Sequence, residues 1–136
     1  MQLMSADKRT ILEISRAESG GEHPPYRMRV VSSDSVGGFS GENRSVHFLN
    51  VDAFRQALDS FLRAHRGSAA LEGTDDCRVE LFRWNAKGDI GVRYTVATQF
   101  MEGEATEYSK VALSGRFQLP GEFAERMAAE LRKELP

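Results

Sequence analysis

The chain reads as an α+β domain, a mainly antiparallel, curved sheet of about six strands with two helices in the order β-β-β-α-β-β-β-α. Three observations predict this. Residues 77–96, CRVELFRWNAKGDIGVRYTV, alternate apolar and polar side chains on both sides of a turn, as a half-buried β-hairpin requires. Two later stretches, one after Asn50 and one after Pro120, carry apolar residues at helical spacing. The connections between strand stretches are short, which favours antiparallel neighbours, and helices with one apolar face favour a layer packed on the sheet.

The elements follow in order. Ile11 to Arg16 reads as a short strand, and Ser19-Gly20-Gly21-Glu22-His23-Pro24-Pro25 reads as a loop because glycine and proline cluster there. Tyr26, Met28 and Val30 alternate with Arg27 and Arg29, the pattern of a half-buried strand. Ser32 to Gly38 is a polar connection, and Phe39 to Leu49 forms a third strand with a bulge or irregularity around Gly41 to Ser45. Asn50 suits a helix N-cap, because its short side chain accepts from an unsatisfied helical N–H. Phe54, Leu58, Phe61 and Leu62 follow at helical spacing, and Gly67 supplies the C-terminal cap.

The register of the hairpin can be worked out residue by residue. With Asn85-Ala86-Lys87-Gly88 as the turn and Gly88 at positive φ, Trp84 faces Asp89. Leu81 then lies against Val92, Val79 against Tyr94 and Cys77 against Val96, all on one face. The opposite face sets Glu80 beside Arg93, Arg78 beside Thr95, and Phe82 over Gly91, where an aromatic ring covers a neighbouring strand's glycine. A slip of one residue would send the first strand's apolar set to the wrong face.

Val96 to Phe100 extends the second hairpin strand, Glu102-Gly103-Glu104 turns the chain, and Tyr108 to Leu119 forms the last strand, with Val111, Leu113, Phe117 and Leu119 of one parity. Pro120 suits the start of a terminal helix, whose apolar stripe is Phe123, Met127, Leu131 and Leu135 with Ala124 and Ala128 beside it. Two halves of like order suggest a topological repeat, with no matching residues between them.

Composition bounds function. A chain of 136 residues, 40% hydrophobic and 28% charged, buries roughly two thirds of its unfolded surface as one domain. The expectation is one domain over residues 1–136, with residues 1–9 as a flexible N-terminal segment. Cys77 is the one cysteine, so no internal disulfide forms, which suits a reducing cytoplasm. A net charge of −2 argues against non-specific nucleic-acid binding, which shows a basic excess or stripe. No stretch has the length of a membrane span, and the N-terminus lacks the apolar run of a secretory signal.

Catalytic and metal signatures are absent from the pattern. His23, His47, His65, Asp75, Asp76 and Cys77 include no pair at the spacing of a zinc box or a helical HExxH. Glu102 with Glu104, Glu122 with Glu125, and Asp75 with Asp76 sit in loops or in a first helical turn, where acids are expected. Ser-Val-Gly-Gly-Phe-Ser-Gly, residues 35–41, lacks the lysine and spacing of a P-loop. The chain is therefore read as non-enzymatic, with no cofactor and no metal.

The outer face of the sheet remains. By parity, Arg27, Arg29, Arg78, Arg93, Lys110 and Arg116 point away from the apolar layer together with Glu80, Phe82 and Trp84. Arginine with tryptophan is the composition enriched at protein interface hot spots, so Phe82, Trp84, Arg78, Arg93 and Arg116 are the candidate partner-binding residues. The same set would permit stacking on single-stranded RNA bases. A third reading is a small ligand-binding protein or enzyme, which needs a concave pocket with converging polar groups.

The run GFSGENRSVHFLNVDAFRQALDSFL, the run ALEGTDDCRVELFRWNAKGDIGVRYTV and the closing helix GEFAERMAAELRKEL resemble small bacterial proteins related to the WapI-type immunity proteins. The likeness lies in strand order, in a mid-chain Phe-containing helix followed by a Leu-Glu-Gly turn, here Leu71-Glu72-Gly73, and in the closing strand and helix. It covers about Arg27 to Leu135 and rests on apolar and glycine positions, so no functional residue carries over. The resemblance implies a cytoplasmic, non-enzymatic protein that binds one protein partner, a toxin domain, and neutralises it. A homodimer would follow if the outer aromatic face pairs with its own copy.

Overall fold

The computed structural model describes residues 1–17, 22–64, 66–100 and 109–135. Its strands are β1 (Gln2–Met4), β2 (Thr10–Arg16), β3 (Tyr26–Ser33), β4 (Gly38–Val46), β5 (Ser68–Glu72), β6 (Arg78–Arg83), β7 (Ile90–Phe100) and β8 (Ser109–Gln118). Helix α1 (Val51–Ala64) follows β4, α2 (Ala124–Glu134) closes the chain, and a single 3-10 turn spans Thr74–Asp76. The class is α+β. In place of one sheet of six strands there are two four-stranded antiparallel sheets, ordered β1-β2-β3-β4 and β5-β6-β7-β8, each followed by a helix.

The two added strands explain the difference. β1 lies within the segment 1–9 expected to be flexible, yet it pairs with β2 from Gln2 opposite Glu13 to Met4 opposite Ile11, and Leu3 is fully buried. Three residues are too few to show alternation. β5 has the sequence SAALE, poor in the β-branched and aromatic residues that mark strands. It takes up Leu71 and Glu72, which the resemblance had assigned to a turn, and pairs with β6 from Ser68 opposite Phe82 to Glu72 opposite Arg78.

Each sheet buries one face, and the two faces share one core with both helices. Leu12 and Ile14 of β2, Met28 and Val30 of β3, Val79 and Leu81 of β6, and Val92, Tyr94 and Val96 of β7 alternate into it. The hairpin register agrees with the sequence at Arg78–Thr95, Val79–Tyr94, Glu80–Arg93, Leu81–Val92 and Phe82–Gly91. Trp84 N–H donates to the Asp89 carbonyl at 2.7 Å, and Gly88 has φ +88°. Cys77 precedes the β6 ladder, with its buried sulfur against Ala97.

The expected irregularity in β4 is a bulge. Tyr26 pairs with Val46 and Met28 with Asn43, so Arg44 and Ser45 stand opposite Arg27 alone. Buried Asn43 holds the bulge by accepting the Ser45 N–H at 2.8 Å, and its amide donates to the Ala97 carbonyl at 2.8 Å. One side chain thereby shapes β4 and ties it to β7 in the other sheet.

Both helices pack as amphipathic elements, with local corrections. Phe54, Leu58 and Phe61 of α1 are buried and Leu62 partly so. Asn50 does not cap α1 with its side chain. Its amide donates to the Ala70 carbonyl at 3.0 Å and its Oδ1 accepts the Glu72 N–H at 2.8 Å, so it closes the free edge of β5. Gly67 adopts φ +84° after α1. Pro120 lies before α2 rather than at its first turn, because residues 121–123 form a turn closed from Phe123 N–H to the Pro120 carbonyl. The buried stripe of α2 is therefore Ala124, Ala128 and Leu131, with Leu135 buried just past its end, while Phe123 is exposed. Val111, placed by parity with the core residues of β8, is exposed as well. Tyr108 and the turn Glu102-Gly103-Glu104 lie outside the described residues.

Candidate functional site

Antiparallel pairing fixes what stands on the outer face of the second sheet. Three rows cross it: Glu72, Arg78, Thr95 and Ser114; Ala70, Glu80, Arg93 and Arg116; Ser68, Phe82, Gly91 and Gln118. Trp84 extends the last row beyond the end of β6. All five candidate residues, Phe82, Trp84, Arg78, Arg93 and Arg116, are brought together here.

Glu80 organises the middle. It is 9% exposed, and a carboxylate so buried requires charged partners. Arg78 supplies one, with Nη2 at 3.0 Å, and Arg93 the other. Arg78 also holds Glu72 at 2.6 Å, and these two carboxylates raise its pKa, Glu72 first. The Arg93 guanidinium lies over the Phe82 ring at 4.4 Å, and that of Arg116 over the Trp84 ring at 5.4 Å. Phe82 and Trp84 pack tilted at 6.0 Å between centroids.

The aromatic pair rests on Gly91. A Cβ there would come within 2.7 Å of Phe82 Cζ and 2.8 Å of Trp84 Cε3, so the rings reach this position only because the residue is glycine. Both rings are half-buried and carry guanidiniums over their faces. Arg116 is exposed, and among the described residues it has no carboxylate partner. The face thus offers ordered guanidiniums on aromatic supports and one unneutralised cation at its β8 side.

The remaining arginines of the expected face separate from it. Arg27 and Arg29 stand on the outer face of the first sheet, where Arg27 pairs with Glu42 at 3.1 Å and Arg29 lies opposite Glu42 and Glu13. Parity placed them outward correctly but could not say on which sheet. Lys110 lies further along β8 and pairs with Asp76.

A second feature escaped the sequence reading. A cavity of about 220 Å³ is lined by Arg16, Glu22, His23, Pro24, Tyr26, His47, Phe48 and Val51. Arg16 donates to the Tyr26 hydroxyl at 3.2 Å, and the Tyr26 and Phe48 rings pack at 5.0 Å. Its walls come from two strands, two loops and the start of α1, so no local spacing announces it.

Cys77 is fully buried. Its thiol donates to the Ala97 carbonyl at 3.2 Å, and desolvation, the largest influence, raises its pKa. Beside it Asp75 and Asp76 have φ of 57° and 63°, left-handed values that aspartate tolerates. Among the described residues no three His, Cys, Asp or Glu side chains gather as metal ligands. His65 lies outside the described residues. No described helix is long and apolar enough to cross a membrane.

Comparison with family models, with curated proteins and with solved structures finds no match to this chain.

Proposed function

We propose that the chain is a non-enzymatic interaction module that presents the outer face of its second sheet to one protein partner. The resemblance read from the sequence suggests a toxin domain, which the chain would neutralise by binding. The observation that carries the reading is the ordered cluster of Arg93 over Phe82 and Arg116 over Trp84, anchored on Glu80 and Gly91. Arginine and tryptophan dominate hot spots because they add contact area and charge-assisted hydrogen bonds at one point. Here part of the ordering cost of binding is already met in the free protein, since the guanidiniums are held by Glu80 and by the rings. Single-stranded RNA would have to displace those guanidiniums to stack on the rings.

Affinity capture from the native cell, with wild type and Arg116→Glu in parallel, tests the proposal. Arg116 is exposed on an outer row, so reversing its charge leaves the core untouched. Wild type should retain one stoichiometric protein, and the variant should bind it at least about tenfold more weakly. Equal retention by both, or no stoichiometric partner for wild type, overturns the reading.

A second reading, small-ligand binding, draws support from the cavity beside His47. Its size suits only a compact ligand, and its lining sets the Arg16 guanidinium, the Glu22 carboxylate and two imidazoles among aromatic walls. A thermal-shift screen of small carboxylates should then yield hits that disappear in His47→Ala. An absence of hits removes this reading.

A further inference from the structure

Sheet edges invite pairing, and three of the four here are short, packed against the other sheet or closed. β1 is three residues long. β4 lies against β7 and β8 through the bond from Asn43 to Ala97 and the approach of Gly41 to Leu113. β5 is closed by Leu49 and Asn50, with Leu49 N–H on the Glu72 carbonyl at 2.8 Å and the Asn50 amide on Ala70 and Glu72. Such covering is how proteins suppress edge pairing.

β8 is different. The Gln118 carbonyl accepts the Ala6 N–H at 2.8 Å and so points away from β7, while the Leu119 N–H points inward to the Ile90 carbonyl at 2.9 Å. Antiparallel strands alternate these directions. The main-chain groups of Ala112, Ser114 and Arg116 therefore face outward, and no other described strand pairs with them. From Val111 to Gly115 the strand holds no charge and no proline, and Val111 is 58% exposed. The usual edge protections are missing along its middle.

We propose that β8 pairs antiparallel with β8 of a second copy about a two-fold axis at Ser114, joining the two second sheets into one. Charge selects the occupant and the register. With Ser114 opposite Ser114 of the copy, Arg116 faces Ala112 and Lys110 faces Gln118, so no like charges stand directly opposed. Arg116 stands diagonally from Lys110 of the copy, whose charge is already paired with Asp76. A register with Ala112 opposite Ser114 would place Lys110 against Arg116. A register with Ser114 opposite Arg116 would draw on the Gln118 carbonyl already given to Ala6. The Ser114 register makes about six main-chain hydrogen bonds and sets the exposed Val111 beside Phe117 of the copy, an aliphatic–aromatic cross-strand pair.

Sedimentation equilibrium of the full chain over a wide concentration range tests this. Wild type should reach twice the chain mass. Ser114→Pro removes an N–H that the β7 ladder does not use, so the monomer keeps its circular dichroism while association weakens at least about tenfold. Ser114→Glu, which puts like charges at the axis, should act the same way and serves if the proline variant does not fold. Ser114→Cys should give an oxidation-dependent covalent dimer while the exposed Lys87→Cys does not; native Cys77 is buried. A monomeric wild type, or a dimer that survives both Ser114→Pro and Ser114→Glu, overturns the proposal. None of these outcomes depends on a heterologous partner, so this pairing and the binding face fail separately.

Discussion

Gly91 and Gly115 both lie under aromatic rings, and an alanine at each should cost different amounts. A Cβ on Gly115 would lie 2.8 Å from Tyr94 Cζ and nearer still to its hydroxyl. Carbon contacts become comfortable near about 3.5 Å, so the ring would have to recede by roughly 0.7 Å. Tyr94 is 6% exposed and packs against Phe117 at 6.0 Å, which leaves it little room. Overpacking of this kind costs about 1–3 kcal/mol, and replacing a glycine returns about 0.4–1 kcal/mol through the unfolded chain. Gly115→Ala should therefore lose about 1–2 kcal/mol. At Gly91 the added carbon meets Phe82 Cζ at 2.7 Å and Trp84 Cε3 at 2.8 Å, but those rings are half-buried and can swing outward. Gly91→Ala should lose less than about 1 kcal/mol, while moving Trp84, the one tryptophan, and shifting its fluorescence. Urea unfolding measures both: at a slope of about 1.5 kcal/mol/M, Gly115→Ala lowers the midpoint by about 1 M. A Gly115→Ala variant as stable as wild type, with Gly91→Ala the more damaged, would refute the reasoning.

Other outcomes follow from named contacts. Asn50→Ala leaves the Glu72 N–H and the Ala70 carbonyl without their amide partner, so it should lose about 1–3 kcal/mol by urea unfolding; a neutral result would show that water replaces the amide freely. The Cys77 thiol, buried and with its pKa raised by desolvation, should ignore Ellman's reagent at mildly alkaline pH until urea unfolds the chain; full labelling of the folded protein would contradict its placement. Asp34 accepts the Val36 and Gly37 N–H groups, which lower its pKa. A carboxyl depressed in the folded state stabilises above the unfolded pKa near 4, and that stabilisation fades as pH falls through the folded value. Asp34→Asn should therefore flatten the acid limb of stability below about pH 4, and an unchanged limb would assign that limb to other carboxylates.

The hairpin was legible because its side chains agree on one register. Phe82 with Gly91, Glu80 with Arg93 and Leu81 with Val92 each need the same alignment, and a slip breaks all of them. β1 and β5 were not legible, because three residues show no period and alanines carry no strand preference. Asn50 was read as a cap because its true partners, Ala70 and Glu72, belong to the strand that was missed. The candidate face was found by parity, which tells in from out but not one sheet from another, so Arg27 and Arg29 were grouped with arginines of the second sheet. Which cation lies over which ring depends on side-chain directions across three strands, and the cavity beside His47 depends on segments distant in sequence.

Trp84 is the one tryptophan and stands within the proposed binding face, so a chain labelled with 5-fluorotryptophan reports that face through one fluorine NMR resonance. On addition of the captured partner or toxin domain, that resonance should shift or broaden in step with complex formation, and Arg116→Glu should delay the change to higher partner concentrations. A complex that forms at full affinity while the Trp84 resonance stays unmoved would place the interface elsewhere and contradict the account.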